Sequence, residues 1–230
     1  AHQIEEVFIY DFPYVSGITA LVIFIMLLGV YFFTEKELRD IYLRLIVVLV
    51  VFFVWMLSSS SLVLLWADWP VFWWDLQLVS SYLTPLAANL LIYSVIDDVY
   101  KKDILKTSAV HAIIFVVAVV LELLGQNGLY LMRFFFYLAL AVCGLMTGYW
   151  LWVCHRRGNK RCRSLFIAFG TLSLLGIVDG LSFQYRVFAW HTYFVPFGIY
   201  TIGFFIVQLI LERAAHERYL AELSASLENE

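Results

Sequence analysis

Three observations predict an all-α membrane protein, a seven-transmembrane helix bundle with its N-terminus outside and its C-terminus in the cytoplasm. First, 63% of the 230 residues are hydrophobic and only 14% are charged, where a soluble domain carries roughly 25% charged residues. The mean hydropathy of +0.86 says the same. Second, seven apolar runs each reach the length of about 20 residues that a helix needs to cross a bilayer. Third, the positive charges fall almost wholly on one side. All fifteen Lys and Arg except Arg133 and Arg186 lie in the segments that alternate topology places at the inner face, and basic residues mark the cytoplasmic side.

The predicted spans are 15–33, 45–66, 76–96, 107–124, 134–153, 164–183 and 192–211. They divide the chain into a short extracytoplasmic segment (1–14), a transmembrane domain (15–211) and a cytoplasmic tail (212–230). Strand alternation is absent, which excludes a β-barrel. Thr34-x-x-Glu37 has the spacing of a capping box that restarts the helix after span one. Inner loop 34–44 carries Lys36, Arg39 and Arg44, loop 97–106 carries Lys101, Lys102 and Lys106, and loop 154–163 carries five basic residues. Pro70 and Gly125-Gln126-Asn127-Gly128 supply turn chemistry on the outer side. Trp66, Trp69, Trp73 and Trp74 cluster at the outer ends of spans two and three, and Trp150 and Trp152 at the inner end of span five, as expected of an interfacial belt. Pro85 and Pro196 each remove a hydrogen bond from a span. Loose likenesses between spans three and seven, and between spans one and five, hint at a parallel repeat with span four as linker.

Ionisable groups inside a bilayer are costly and point to function. Here they are few: His111, Glu122, Asp179, and His191 at the edge of span seven. Asp179 is predicted about 6 Å below the outer end of span six. Glu122, Arg133, Arg186, Asp68, Asp75 and His191 lie near or above that level. With Trp66 and Ser58–Ser61 they suggest an outer pocket that is mostly apolar with a few polar groups. Its candidate ligand-binding residues are Asp179, Arg186, Arg133, Glu122, Trp66, Asp75 and His191. The structural alternative is an ion pair of Asp179 with Arg186 or Arg133 that closes the bundle. His111 and His155 could ligate a haem only if they shared a depth, and a packing role for His111 competes with that.

Other functions are disfavoured. A net charge of −3 does not suit a nucleic-acid binder. All five lysines fall in inner loops, so none can carry a retinal Schiff base within the bundle. No Gly-rich phosphate loop, zinc-protease or serine-hydrolase motif is present. No catalytic centre and no cofactor is therefore expected. Cys143, Cys154 and Cys162 lie in or beside inner-half segments, so no extracytoplasmic disulfide can form.

After span seven the chain reads Glu212-Arg213-Ala214-Ala215-His216-Glu217-Arg218 and onward to Glu230 without Gly or Pro. These are good helix formers. Leu220, Leu223 and Leu227 have the spacing of a coiled-coil seam. The expectation is a signalling helix that pairs in parallel with a second copy and leads to a cytoplasmic output domain.

These features resemble bacterial seven-transmembrane receptors with diverse intracellular signalling modules. The resembling residues are Gly158-Asn159-Lys160-Arg161-Cys162-Arg163, Asp179-Gly180-Leu181, Pro196-Phe197-Gly198, Gln208, Leu211-Glu212-Arg213 and Leu223-x-x-x-Leu227-Glu228. The resemblance implies a sensor in a bacterial inner membrane whose seventh helix, through Pro196 and the leucine seam, drives a diguanylate cyclase, histidine kinase or similar domain. If no extracytoplasmic domain precedes the 14 residues before span one, the bundle itself is expected to sense an extracytoplasmic or membrane-borne small molecule or lipid. The competing expectation is a small-solute transporter with a three-one-three helix repeat, using Asn89 and Thr201 near the midplane.

Overall fold

The computed structural model describes residues 12–32, 36–60, 62–63, 67–185, 205, 207–208, 215 and 219. Among them there is no strand. The helices are α1 (Phe12–Phe32), α2 (Lys36–Ser59), α3 (Pro70–Val95), α4 (Asp98–Leu123), the single turn α5 (Gly128–Leu131), α6 (Arg133–Arg156) and α7 (Lys160–Tyr185). Five of them contain segments long and apolar enough to cross a membrane: Tyr14–Phe32, Arg39–Ser59, Pro70–Val95, Asp98–Leu123 and Arg133–Arg156. At 26 residues, α7 covers predicted span six. Most of predicted span seven lies outside the described residues, as do the capping residue Thr34, Trp66, Arg186, His191, Pro196 and the leucines at 220, 223 and 227.

Consecutive long helices pack side by side, and α3 also meets α7, which closes α3, α4, α6 and α7 into a ring with α2 and α1 following on from α3. The outward faces are apolar. Ile25, Met26, Ile113, Val116, Phe134 and Leu145 are all exposed, a surface far more apolar than water tolerates.

The predicted basic loops are corrected by the structure. Lys36, Arg39 and Arg44 lie on α2, and Lys101, Lys102 and Lys106 on α4. The helices run on beyond the apolar stretch because the charges there form ion pairs at helical spacing: Asp40–Arg44 (2.9 Å), Asp98–Lys101 (2.6 Å) and Asp103–Lys106 (2.8 Å). Among the described residues, the connections at this basic end are two tight turns, Ile96-Asp97 and Arg157-Gly158-Asn159. Gly158 takes φ +99°, a left-handed conformation that suits glycine. The Asn159 amide N–H then reaches back to the Cys154 carbonyl (3.2 Å).

Asn159 ties the two turns together. Its Nδ2 donates to the Val95 carbonyl (3.1 Å) and to the Asp97 carboxylate (3.2 Å), while its Oδ1 accepts from the Cys162 amide (3.3 Å) at the start of α7. Beside it sits the larger core, in which Tyr42, Leu45, Leu49, Phe52, Leu91, Ile104, Leu151 and Leu165 are fully buried.

Span two also ends earlier than predicted, at Ser59 rather than residue 66. The serines explain this. Ser58 and Ser59 hydroxyls donate to the Val54 and Trp55 carbonyls, and Ser60 Oγ accepts from the Leu62 amide. Such local bonds compete with continuation of the helix.

At the opposite end the α4–α6 turn folds back on α4. A Cβ on Gly128 would stand 2.2 Å from the Ala118 carbonyl oxygen and 2.4 Å from Leu121 Cβ, so only glycine fits. Glu122 Oε2 accepts from the Leu129 amide (3.0 Å), and the Tyr82 hydroxyl donates to the Leu129 carbonyl (2.9 Å). We expect Gly128→Ala to lower stability by about 1–3 kcal/mol, the usual cost of overpacking. Gly29→Ala on α1, where a Cβ meets nothing within 4 Å, is the control. Thermal unfolding of both variants in detergent measures this, and equal midpoints would disprove the close approach.

Candidate functional site

A cavity of about 700 Å³ lies between α2, α3, α4, α6 and α7. Ligand pockets occupy roughly this range of volumes. Its wall runs from Trp74, four residues into α3, to Trp152, four residues from the end of α6. At 1.5 Å per residue it therefore extends about 25 Å through the bundle.

Small residues make the space. Gly144 and Gly148 on α6 and Gly170, Ser173 and Gly176 on α7 all line it. A Cβ on Gly144 or Gly170 would meet nothing within 4 Å. Glycines at such spacing usually bring helices into close contact; here they hold a void open. Aromatic and apolar groups complete the wall, among them Trp55, Phe136, Tyr137, Leu140 and Phe169. Leu145 and Leu174 also line the cavity, yet they are 78% and 62% exposed. The cavity thus reaches the outer surface of the bundle between α6 and α7.

Its polar groups come from every lining helix, with a connected set on α3 and α4. Asn89 Nδ2 donates to Thr107 Oγ1 (3.3 Å), whose hydroxyl donates to the Ile104 carbonyl (2.8 Å). One turn on, His111 Nδ1 lies 2.8 Å from the Thr107 carbonyl. Tyr82 stacks against Phe136 with ring centroids 4.5 Å apart, and His111 meets the same Phe136 edge-on at 6.4 Å. His111, Asn89 and Tyr82 all touch the cavity.

The predicted site residues are only partly brought together. Arg133 lines the cavity, with its guanidinium near the Tyr137 ring and Nε 3.3 Å from the Tyr137 hydroxyl. Glu122 belongs to the α4–α6 turn, where it accepts the Leu129 amide. Asp75 lies in the second turn of α3. Neither is among the described residues on the cavity wall. Asp179 lies on α7, but its side chain is outside the described set, as are Trp66, Arg186 and His191 entirely. The predicted Asp179 ion pair therefore falls outside it too.

His111 is corrected in position. Because α4 starts at Asp98 rather than 107, His111 lies at mid-helix, 13 residues from that start. That is about 20 Å by helical rise. His155 is one residue from the basic end of α6. The two histidines do not share a depth, so they cannot sandwich one haem. Sequence reasoning also missed the cavity role of Gly144 and Gly170. The available signal was the run of small residues on one face of each helix, at 144, 147 and 148 and at 170, 173 and 176.

With nothing within 4 Å of an added Cβ, Gly144→Ala and Gly170→Ala should each leave stability unchanged or raise it by about 0.5–1 kcal/mol, because alanine is the better helix former. Thermal unfolding in detergent tests this. A clear loss in either variant would mean that the helices are closely packed there.

Over residues 14–216 the chain matches the family described as 7TM diverse intracellular signalling. No curated protein and no solved structure matches it. The family match and the apolar helices together make this an integral membrane protein with a sensory domain associated with signalling. Spanning most of its length, the match places the chain in the 7TM diverse intracellular signalling family.

Proposed function

We propose that this chain is a transmembrane receptor domain whose inter-helix cavity takes a small molecule, and that the seventh segment transmits the response to a cytoplasmic output domain. The positive-inside rule orients it with the basic end in the cytoplasm. The membrane is then the bacterial inner membrane, and the output a diguanylate cyclase, histidine kinase or similar domain. The leucine seam at 220, 223 and 227 pairs two copies in parallel.

The observation that carries this proposal is the double role of α7. Its residues Phe166, Phe169, Gly170 and Ser173 form one wall of the cavity. One turn before Phe169, the Ser164 hydroxyl donates to the Gln208 side chain on the seventh segment. Phe205, three residues earlier on that segment, is 1% exposed and belongs to the large core. A ligand that shifted α7 would therefore pull directly on the chain that leads to the tail. Helix shifts of 1–2 Å are a common form of such coupling.

The test uses Leu223→Cys in a chain without Cys143, Cys154 and Cys162, oxidised in native membranes. Rapid disulfide trapping of a dimer is expected. Adding Gly144→Trp, which fills the cavity, should change the trapping rate several-fold. Absence of trapping at Leu223 and at Leu227 would refute the paired tail. A rate untouched by the filled cavity would refute the coupling.

A further inference from the structure

The cavity is polar at one end and mostly apolar at the other. At the end away from the basic turns, three helices bring polar side chains to its wall: Ser59, the last residue of α2, Gln77 within the first three turns of α3, and Arg133 and Tyr137 in the first two turns of α6. Ser81 and Thr84 continue the strip on the Gln77 face of α3, one and two turns further along. Toward the basic turns the wall changes character. Gly148, Leu151 and Trp152 on α6 face Phe166, Phe169 and Gly170 on α7, and Asn89, His111 and Thr147 are the polar exceptions there.

Arg133 brings a positive charge to the polar end, and among the described residues no carboxylate lines the cavity. An arginine does not give up its proton, and its guanidinium carries five N–H donors. The bond from Nε to the Tyr137 hydroxyl uses one of them, and the guanidinium carbon lies 5.6 Å from the centre of the Tyr137 ring. The fork can therefore serve a group in the cavity beside its protein partners, and its planar shape suits a carboxylate or a phosphate. Gln77 adds two amide N–H donors to the same end. The hydroxyls of Ser59, Ser81 and Thr84 donate to carbonyls of their own helices at 2.7, 2.7 and 2.9 Å. What they offer the cavity is lone pairs, which accept any O–H or N–H that the same head group carries. A cationic head would instead be repelled by Arg133. Beyond this polar zone, exposed Leu145 and Leu174 open the cavity sideways onto the apolar outer surface of the bundle, where the surroundings are lipid.

We propose that the cavity binds an amphiphile whose anionic head, a carboxylate or phosphate, is held by Arg133 and Gln77, and whose apolar tail runs toward the basic end between Gly144 and Gly170. This rests on the cavity being a ligand site, as argued above, and adds the chemical class of its ligand. A single-chain molecule and an anionic lipid of the bilayer share that chemistry. The opening between α6 and α7 admits the tail from the membrane while the head stays at the level of Arg133.

The probes are a terminally brominated dodecyl phosphate, the corresponding alcohol and the corresponding trimethylammonium. Bromine quenches tryptophan fluorescence, and Trp55, Trp74 and Trp152 lie on the cavity wall. Titrations use the full chain in phosphatidylcholine nanodiscs. Saturable quenching by the phosphate is expected, with the alcohol and the trimethylammonium at least about tenfold weaker, the value of one charge-assisted hydrogen bond. In Arg133→Gln that advantage should vanish, and in Arg133→Lys, which keeps the charge, most of it should persist. An undiminished advantage in Arg133→Gln would place the anion elsewhere, for instance against the basic turns, and overturn the assignment. Its loss in both variants would overturn it too, leaving Arg133 as a packing partner of Tyr137. Equal saturable binding of all three probes by the wild type would overturn the anionic head while leaving a ligand cavity. Quenching by all three that never saturates would overturn the cavity as a ligand site. Repeating the phosphate titration in phosphatidylglycerol nanodiscs separates the two sources: unchanged binding supports a single-chain guest, and competitive loss supports the anionic lipid of the bilayer. Because the probes are compared in the wild type, the test of the head group does not depend on either variant folding.

Discussion

Every polar group removed from water in this molecule must find a partner inside the protein, because the surrounding lipid offers none. That constraint orders the rest of the structure. It makes the described chain helical wherever it is long and apolar. It also concentrates special residues at the turns, where helix ends leave amides and carbonyls unpaired. Asn159 answers it at the basic end, accepting one amide and donating to two groups of the neighbouring turn. Glu122 and Tyr82 answer it at the other end by bonding the amide and carbonyl of Leu129. Hydroxyls within the helices return to their own backbone, as Ser80, Ser81 and Thr84 do on the turns around Pro85.

Against this background the imidazole of His111 stands out. Its Nδ1 faces the Thr107 carbonyl, whereas its Nε2, like the Ser16 hydroxyl, has no hydrogen-bond partner among the described residues. The same region is where the bundle is under-packed, since Gly144 and Gly170 face open space. His111 and both glycines line one cavity. α7 adds the mechanical element, with the cavity on one of its stretches and the contact to Gln208 on another.

The two ends of the bundle divide the labour. The basic end is tightly built: the buried side chains of α2, α3, α4, α6 and α7 interlock there, and Arg44 crosses from α2 to donate to the Leu90 carbonyl (2.9 Å). Tyr93 is flanked there by Arg44 and Lys101, and Tyr100 by Arg157. The opposite end has the smaller cluster around Leu78, Tyr82, Ala118, Leu129 and Phe136.

Composition and the length of the apolar runs determined the helical membrane class, and residues 158–163 pointed to the family. These are local properties: a bilayer selects helices by hydropathy, and Gly158-Asn159 announces a turn whatever surrounds it. The helix limits were less legible, because ion pairs such as Asp98–Lys101 extend helices past their apolar stretch and serines such as Ser58 and Ser59 end them before it. The site was least legible. Charge and depth drew attention to Glu122 and Asp75, which the fold uses at a turn or leaves beside it, while only tertiary packing could show that glycines 144 and 170 enclose a void. A glycine has the same sequence signature whether a neighbouring helix presses against it or stands away. His111 likewise reached the cavity wall only through the packing of α4 against α3 and α6.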